Sequence, residues 1–301
     1  MDLKKPYTIN EQIQKLQDHG FVIEDEAFAR RVLQKVSYYR LTGYMLQYRI
    51  SSDSHEMMKG INFEDVYKIY CFDEEIRALL RIYVEKAEFF YKDLIGNTFA
   101  ALKCNSSPYD QHYDVNNYYD KTGITSTLQT FSKEKTYYKD SAIVKHHYNK
   151  YADKMPVWVM MELMTLSSVS LFYHALYLSD KNVIATQVGI SIPTLENHLH
   201  ALSVLRNKCS HGVRLYNSTI NPPVKFNKSF LRNNPAIKNN SLFAYILMLI
   251  KRLPSDDERK QFRDKLNHIV KKYEADIDLS LIGFPSNYRQ LMYIKNLKNI
   301  T

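Results

Sequence analysis

The stretch NFEDVYKIYCFDEEIRALLRIYVEKAEFFYKDLIGNTF, residues 62–99, decides the fold class. Its apolar residues recur at intervals of three and four, beginning with Phe63, Val66 and Ile69. This interval is the repeat of one helical face, because an α-helix turns once every 3.6 residues. The spacing therefore predicts one long helix that reaches about Phe99.

The regions on either side of this stretch also carry helical patterns. Upstream, Thr8-x-x-Glu11 is a capping box that opens the first of three short helices. Downstream we expect irregular chain over 103–127, and then a series of helices at 131–151, 155–178, 180–188 and 193–209. We expect three helices after Pro222 and Pro223. The first spans 242–253, the second follows the capping residue Ser255, and the third follows Pro285.

These elements predict an all-α protein with three regions. Residues 1–60 form a small N-terminal helical module, residues 61–221 the helical core, and residues 222–301 a C-terminal helical extension. The composition agrees, since eight glycines and nine prolines in 301 residues are too few for a sheet protein with many tight turns.

The charge balance favours a polyanionic partner. The chain has 41 Lys and Arg against 32 Asp and Glu, a formal net charge of +9, and cations bind phosphates by releasing counterions. The 24 tyrosines add rings that can stack on unpaired bases. The alternatives are a basic surface without a dedicated partner and tyrosines that mostly line the core.

The three cysteines, Cys71, Cys104 and Cys209, form no C-x-x-C pair, which favours a reducing compartment. The N-terminus lacks an apolar signal segment. Residues 155–178 are the most apolar stretch, but they contain several hydroxyl side chains, and we interpret them as a buried core helix. We expect a cytoplasmic protein without a membrane span.

The segment LENHLHALSVLRNKCSHG, residues 195–212, carries the candidate chemistry. Arg206 and Asn207 lie in the last turns of an apolar helix, and His211 follows just before Gly212. If the helix frays before Gly212, the arginine and the histidine converge. An imidazole can move a proton near neutral pH, and a guanidinium can stabilise charge on a phosphate.

This set suits RNA cleavage, because RNA carries its own nucleophile in the 2′-hydroxyl. The alternative is that Arg206 and His211 are basic residues that cap a helix C-terminus. A second pair with similar spacing, Arg49 and His55, lies in a polar loop and is discarded.

The motif resembles a known family. Residues 205–217, LRNKCSHGVRLYN, are similar to the R-N-x-C-x-H…R-L-x-N signature of the Abi family, the AbiD/AbiF-like abortive-infection proteins of bacteria. Further blocks resemble the same family in the same order, and they are residues 37–44, 63–67, 72–77, 85–88, 155–159 and 282–285.

The resemblance implies a HEPN-like helical bundle. Many proteins of the HEPN superfamily are metal-independent RNases that pair an R-x4–6-H motif across a dimer. It therefore implies that Arg206 and His211 are catalytic, with Asn207 in support, and that Glu88 and Lys92 are polar site residues on the long helix. The alternative for Glu88 and Lys92 is an i,i+4 surface pair. Relatives often have a histidine where this chain has Gly212.

The expected partners are RNA and a second copy of the chain. RNA is the substrate, and a structured regulatory RNA is a further candidate partner. The cations that we expect to bind RNA are Lys4, Lys5, Arg30, Arg31, Lys35, Arg40, Lys208 and Arg214. No cofactor and no metal is expected, because the remaining histidines lack ligand spacing.

The leading hypothesis is an endoribonuclease effector of phage defence, or a toxin, that leaves 2′,3′-cyclic phosphate and 5′-hydroxyl ends. The runner-up is an RNA-binding or scaffolding protein of the same fold without catalysis. A third class, a module that binds only proteins, fits the net charge and the motif less well.

Overall fold

The computed structural model describes residue 3, residues 5–51 and residues 57–293. These residues form fourteen α-helices and one pair of very short strands, so the all-α prediction is confirmed. The elements before the long helix are α1 (Ile9–Asp18), β1 (Phe21–Val22), α2 (Glu26–Lys35) and α3 (Tyr38–Met45). The predicted capping box opens α1, since the Thr8 N–H donates to Glu11 Oε2 at 2.7 Å and the Glu11 N–H donates to Thr8 Oγ1 at 3.3 Å.

The long helix starts from the second strand. Strand β2 (Ile61–Asn62) pairs in parallel with β1, and this pair is too short to be predicted from alternation. Asn62 Oδ1 accepts the Glu64 N–H at 3.0 Å, which caps the first turn of α4 (Phe63–Lys103). Helix α4 has 41 residues and ends four residues beyond the predicted position.

Ten further helices follow α4. The first six are α5 (Lys121–Tyr137), α6 (Ala142–Tyr151), α7 (Val157–Leu163), α8 (Leu166–Ala175), α9 (Leu178–Gln187) and α10 (Ile192–Ser210). The last four are α11 (Lys228–Asn233), α12 (Leu242–Arg252), α13 (Asp256–Lys272) and α14 (Tyr288–Leu291). Short 3₁₀ helices lie at Leu46–Tyr48, Gln111–Tyr113, Val115–Asn117 and Leu279–Ile282.

Helix α4 is the centre of the bundle, because α3, α7, α10, α12 and α13 all pack against it. Its closest approach to α7 depends on Gly96. A Cβ atom at this position would lie 2.9 Å from the Cγ atom of Met161 and 3.5 Å from the Cα atom of Trp158. A side chain here would therefore separate the two helices.

Two of the helix predictions are wrong in the same way. The region 131–151 is not one helix, because Ser141 Oγ accepts the Val144 N–H at 3.4 Å and starts α6. The region 155–178 contains two helices, because Thr165 Oγ1 accepts the Ser168 N–H at 3.2 Å and starts α8. In both cases a hydroxyl side chain caps a new helix instead of standing inside a longer one.

Buried side chains from all three predicted regions join in one hydrophobic core. Helix α12 is the most buried element, with no solvent exposure from Leu242 to Ile250. Ion pairs hold α13 to α4, among them Lys86–Glu258 at 3.0 Å. Within the described part of the chain, none of the helices combines the length and the apolar character needed to cross a membrane.

Candidate functional site

The candidate site lies at the C-terminal end of α10, which packs against both α4 and α8. Gly212, with φ of +63°, ends the helix. The Val213 N–H donates to the Lys208 carbonyl at 2.9 Å and the Gly212 N–H to the Cys209 carbonyl at 3.3 Å, which is the Schellman arrangement. His211, as the C-cap, still donates its N–H to the Asn207 carbonyl at 2.9 Å. The helix therefore keeps its register through His211 and does not fray before it.

Because the register holds, Arg206 and His211 lie on different sides of α10. Five residues correspond to a rotation of about 140°. Arg206 is partly exposed and His211 is exposed, and among the described residues no hydrogen bond or ion pair links the two side chains. One chain alone does not join them by a hydrogen bond or an ion pair.

Arg206 faces α4, where it meets a buried ion pair. Its Nε atom lies 3.7 Å from Glu88 Oε2, and the other Glu88 oxygen pairs with Lys92 Nζ at 3.0 Å. Glu88 is 7% exposed and Lys92 is 5% exposed, so the interpretation of these two residues as a surface pair is wrong. The Arg206 side chain itself is 41% exposed. It is therefore accessible to solvent while its Nε atom contacts a buried carboxylate.

The segment that follows His211 is fixed by a second buried pair on α4. Asp73, with no exposure, forms an ion pair with Arg77. The Asp73 carboxylate also accepts the Tyr44 hydroxyl at 2.6 Å, the Tyr216 N–H at 2.9 Å and the Leu215 N–H at 3.2 Å. Burial raises the pKa of Tyr44, with the charge of Asp73 as the next cause. This network makes the chain after the motif a rigid part of the core.

Helix α3 adds two contacts to the same segment. Arg40 Nη1 donates to the Gly212 carbonyl at 2.8 Å, and Arg214 Nη1 donates to the Gly43 carbonyl at 2.6 Å. A Cβ atom at position 212 would lie 3.0 Å from Arg40 Nη1. Both the positive φ and this contact explain why glycine stands after the motif histidine.

The other cations predicted to bind RNA are spread over the segment before α1, over α2 and over α10. Lys5 pairs with Glu11 at 3.2 Å, Arg30 with Glu26 at 2.8 Å and Arg31 with Asp25 at 3.8 Å. Two more, Lys35 and Lys208, have no ion-pair partner in the described part of the chain. Lys4 lies outside the described residues.

Cys209 and His198 are buried and stand apart from the exposed motif residues. Burial raises the pKa of the Cys209 thiol to about 12, so the thiol stays protonated and packs as an apolar group. Burial lowers the pKa of His198 to about 3, and its Nε2–H donates to the Lys225 carbonyl at 2.8 Å. These two residues of α10 support the fold of the site.

A groove between α8 and α10 reaches Asn207 and has a volume of about 500 Å³. Its walls include Ser170 and His174 from α8, and Glu196 and His200 from α10. His200 is not among the predicted site residues, although it lies seven residues, two turns, before Asn207. In the described part of the chain, no cluster of three His, Cys, Asp or Glu residues is arranged to hold a metal ion.

The comparisons with known proteins agree with the motif. A family model described as Abi-like protein matches residues 31–217, which include α4, the Glu88–Lys92 pair and the motif on α10. The family takes its name from abortive infection, and it links the chain to defence against phage. No curated protein and no solved structure matches the chain. The match covers more than half of the sequence, and the chain belongs to the Abi-like protein family.

Proposed function

We propose that this protein is an endoribonuclease of phage defence in which Arg206 and His211 carry out the cleavage. The observation that carries the proposal is the position of Arg206, which is exposed to solvent but rests on the buried Glu88–Lys92 pair. A buried ion pair adds little to stability compared with apolar residues of the same size. Such a pair can, however, fix the position of an arginine that binds a phosphate.

The chemistry uses the 2′-hydroxyl of the RNA. The 2′-oxygen attacks the adjacent phosphorus, the bond from phosphorus to the 5′-oxygen breaks, and the products are a 2′,3′-cyclic phosphate and a 5′-hydroxyl. One imidazole takes the proton from the 2′-hydroxyl and a second gives a proton to the departing 5′-oxygen. The Arg206 guanidinium stabilises the extra charge on the phosphorane, and Asn207 offers a neutral donor.

The need for two imidazoles, together with the separation of Arg206 and His211 in one chain, supports a homodimer. Two copies that share an isologous interface would supply two arginines and two histidines around one phosphate. The helical bundle and a motif at the end of a buried helix are consistent with the HEPN superfamily. Light scattering at micromolar concentration tests the dimer, and a monomer would contradict this arrangement.

The direct test is cleavage of single-stranded RNA by the purified protein in EDTA. The wild type should cleave, with cyclic phosphate at the new 3′ ends, and His211→Ala should not. His146→Ala is the matched control, because His146 is an exposed histidine on α6. Equal cleavage by the wild type and His211→Ala would contradict the proposal.

An active ribonuclease needs restraint in its host, and we propose that a structured RNA bound to the N-terminal module provides it. Two exposed cations on α2 support this proposal. Lys35 has no ion-pair partner in the described chain, and Arg31 forms only a long ion pair with Asp25, at 3.8 Å. Arg40 and Arg214, in contrast, already donate to backbone carbonyls. If RNA neither co-purifies with the protein nor binds at moderate salt, this role is excluded.

The second candidate is an RNA-binding or scaffolding protein without catalysis. It is favoured by the absence of a hydrogen bond or ion pair between Arg206 and His211 in the described residues. RNA affinity that falls steeply with salt, in the absence of cleavage, would support this candidate.

A further inference from the structure

The groove between α8 and α10 is a surface that the cleavage step uses only at Asn207. On α10, Glu196, His200, Ser203 and Asn207 follow one another at three or four residues, and they therefore lie along one side of the helix. The facing wall, on α8, consists of Ser167, Ser170, Leu171 and His174.

The groove leads to the motif histidine. His211 follows Asn207 by four residues, and the N–H···O bond between them keeps it in helical register. The side of α10 that lines the groove therefore continues to His211. The volume of about 500 Å³ lies within the range of pockets that bind small organic ligands, and it accommodates a nucleotide.

Among the described residues, the groove offers an unpaired lysine and an unpaired imidazole to a phosphate. Its lining contains one carboxylate, Glu196, which already pairs with Lys181 Nζ at 2.8 Å and lies 3.4 Å from the His174 ring. Lys225 and His200 are exposed at its edge. In the described part of the chain, neither of these two side chains has a hydrogen-bond or ion-pair partner.

Uncharged groups in the groove also have free hydrogen-bonding capacity. The hydroxyls of Ser167 and Ser170 and the amide of Asn207 form no side-chain hydrogen bond with any described residue. Leu171, 58% exposed, adds apolar surface beside them. Donors and acceptors next to an apolar side chain match a nucleobase, which has a polar edge and an apolar face.

We infer that this groove binds the single-stranded RNA segment next to the cleaved linkage and selects its base. The inference rests on the proposed function, because it takes Asn207 and His211 as the end of the groove where cleavage occurs. Lys225 and His200 bind the phosphate, and the hydroxyls of Ser167 and Ser170 read the base edge. Single-stranded RNA is required, because in a duplex the base edges are paired and the faces are stacked.

The experiment measures RNA affinity in a full-length His211→Ala background, where the substrate stays intact. Fluorescence anisotropy with short labelled homopolymers gives the affinity and its salt dependence. Lys225→Ala and His200→Ala should each weaken binding by about tenfold. Lys225→Ala should also reduce the slope of log affinity against log salt concentration by about the value of one phosphate contact. Ser170→Leu should narrow the groove and change the ranking of the four homopolymers.

Matched controls are Lys133→Ala and His146→Ala, which remove an exposed lysine of α5 and an exposed histidine of α6. Both controls should bind RNA as the background does. Affinities of all three groove variants equal to the background would overturn the inference.

The same substitutions in the His211-containing protein separate this inference from the proposed function. If the wild type cleaves no RNA but the groove variants weaken binding, the groove assignment stands and the ribonuclease proposal fails. If His211-dependent cleavage keeps its rate and base preference in the groove variants, the groove assignment fails and the ribonuclease proposal stands. Loss of the dimer in light scattering, in parallel with loss of affinity, would also overturn it and identify the groove as an interface between copies.

Discussion

Helix α4 carries two acid–base pairs that look alike in sequence, Asp73–Arg77 and Glu88–Lys92. Both are i,i+4 pairs and both are buried. They differ in their other partners. The Asp73 carboxylate accepts three further hydrogen bonds from protein groups, whereas in the described part of the chain Glu88 has one further contact, the longer one to the half-exposed Arg206. The Asp73 carboxylate, which accepts several hydrogen bonds from the protein, stabilises the fold. The Glu88 carboxylate, which can still accept further hydrogen bonds, holds the half-exposed Arg206.

The largest effect expected from this difference is the loss of stability in Asp73→Asn. The substitution leaves Arg77 without its counter-charge in the core and weakens the bonds to Leu215 and Tyr216. We expect the free energy of unfolding to fall by about 3–5 kcal/mol. Chemical denaturation measures it, and a loss below that of Glu88→Gln would contradict the structural assignment of the Asp73 pair.

Glu88→Gln should separate activity from stability. Lys92 keeps a neutral oxygen as its acceptor, and we expect a stability loss of about 1–3 kcal/mol. RNA cleavage should fall by a larger factor than RNA affinity, because Arg206 loses the carboxylate that orients it. Cleavage at the wild-type rate by a folded Glu88→Gln variant would remove Glu88 from the site.

Gly212→Ala tests the rigid end of α10. An alanine at φ of +63° is strained by about 1–2 kcal/mol, and its Cβ atom would press on the Arg40 contact. We expect a lower melting temperature, measured by circular dichroism. Gly189→Ala is the control, because Gly189 has φ of +66° and open space around a Cβ atom. Equal losses in the two variants would mean that the Arg40 contact adds nothing.

The smallest effect concerns His198, which is buried in α10. Burial lowers the pKa of His198 from 6.5 to about 3, so the folded protein binds this proton less well than the unfolded chain. Its contribution to stability is therefore complete above pH 6.5 and is lost as the pH falls from 6.5 towards 3. His198→Gln should lessen the loss of melting temperature between pH 7 and pH 5, and a loss equal to that of the wild type would contradict this role of His198.

The sequence predicted the long helix, the Thr8 and Ser255 caps and Gly212 as the stop of α10, because these depend on short-range patterns. The fraying expected before Gly212 is wrong, because the helix keeps its hydrogen bonds through His211. It missed the new helix starts at Ser141 and Thr165, because hydroxyl residues occur both as caps and inside helices. Asp73–Arg77 and Glu88–Lys92 could not be told apart, since their burial and their further partners come from distant segments. The position of His200 in a groove likewise depends on how α8 packs against α10.

In the proposed function, Arg206 and His211 act together on one RNA linkage. Its most direct test is single-turnover cleavage of RNA in EDTA by the wild type, Arg206→Ala, His211→Ala and the double variant. We expect each single substitution to lower the rate by at least about 10²–10³-fold, and the double variant to be no slower than the slower single one. Cleavage at the wild-type rate by either single variant would contradict the claim.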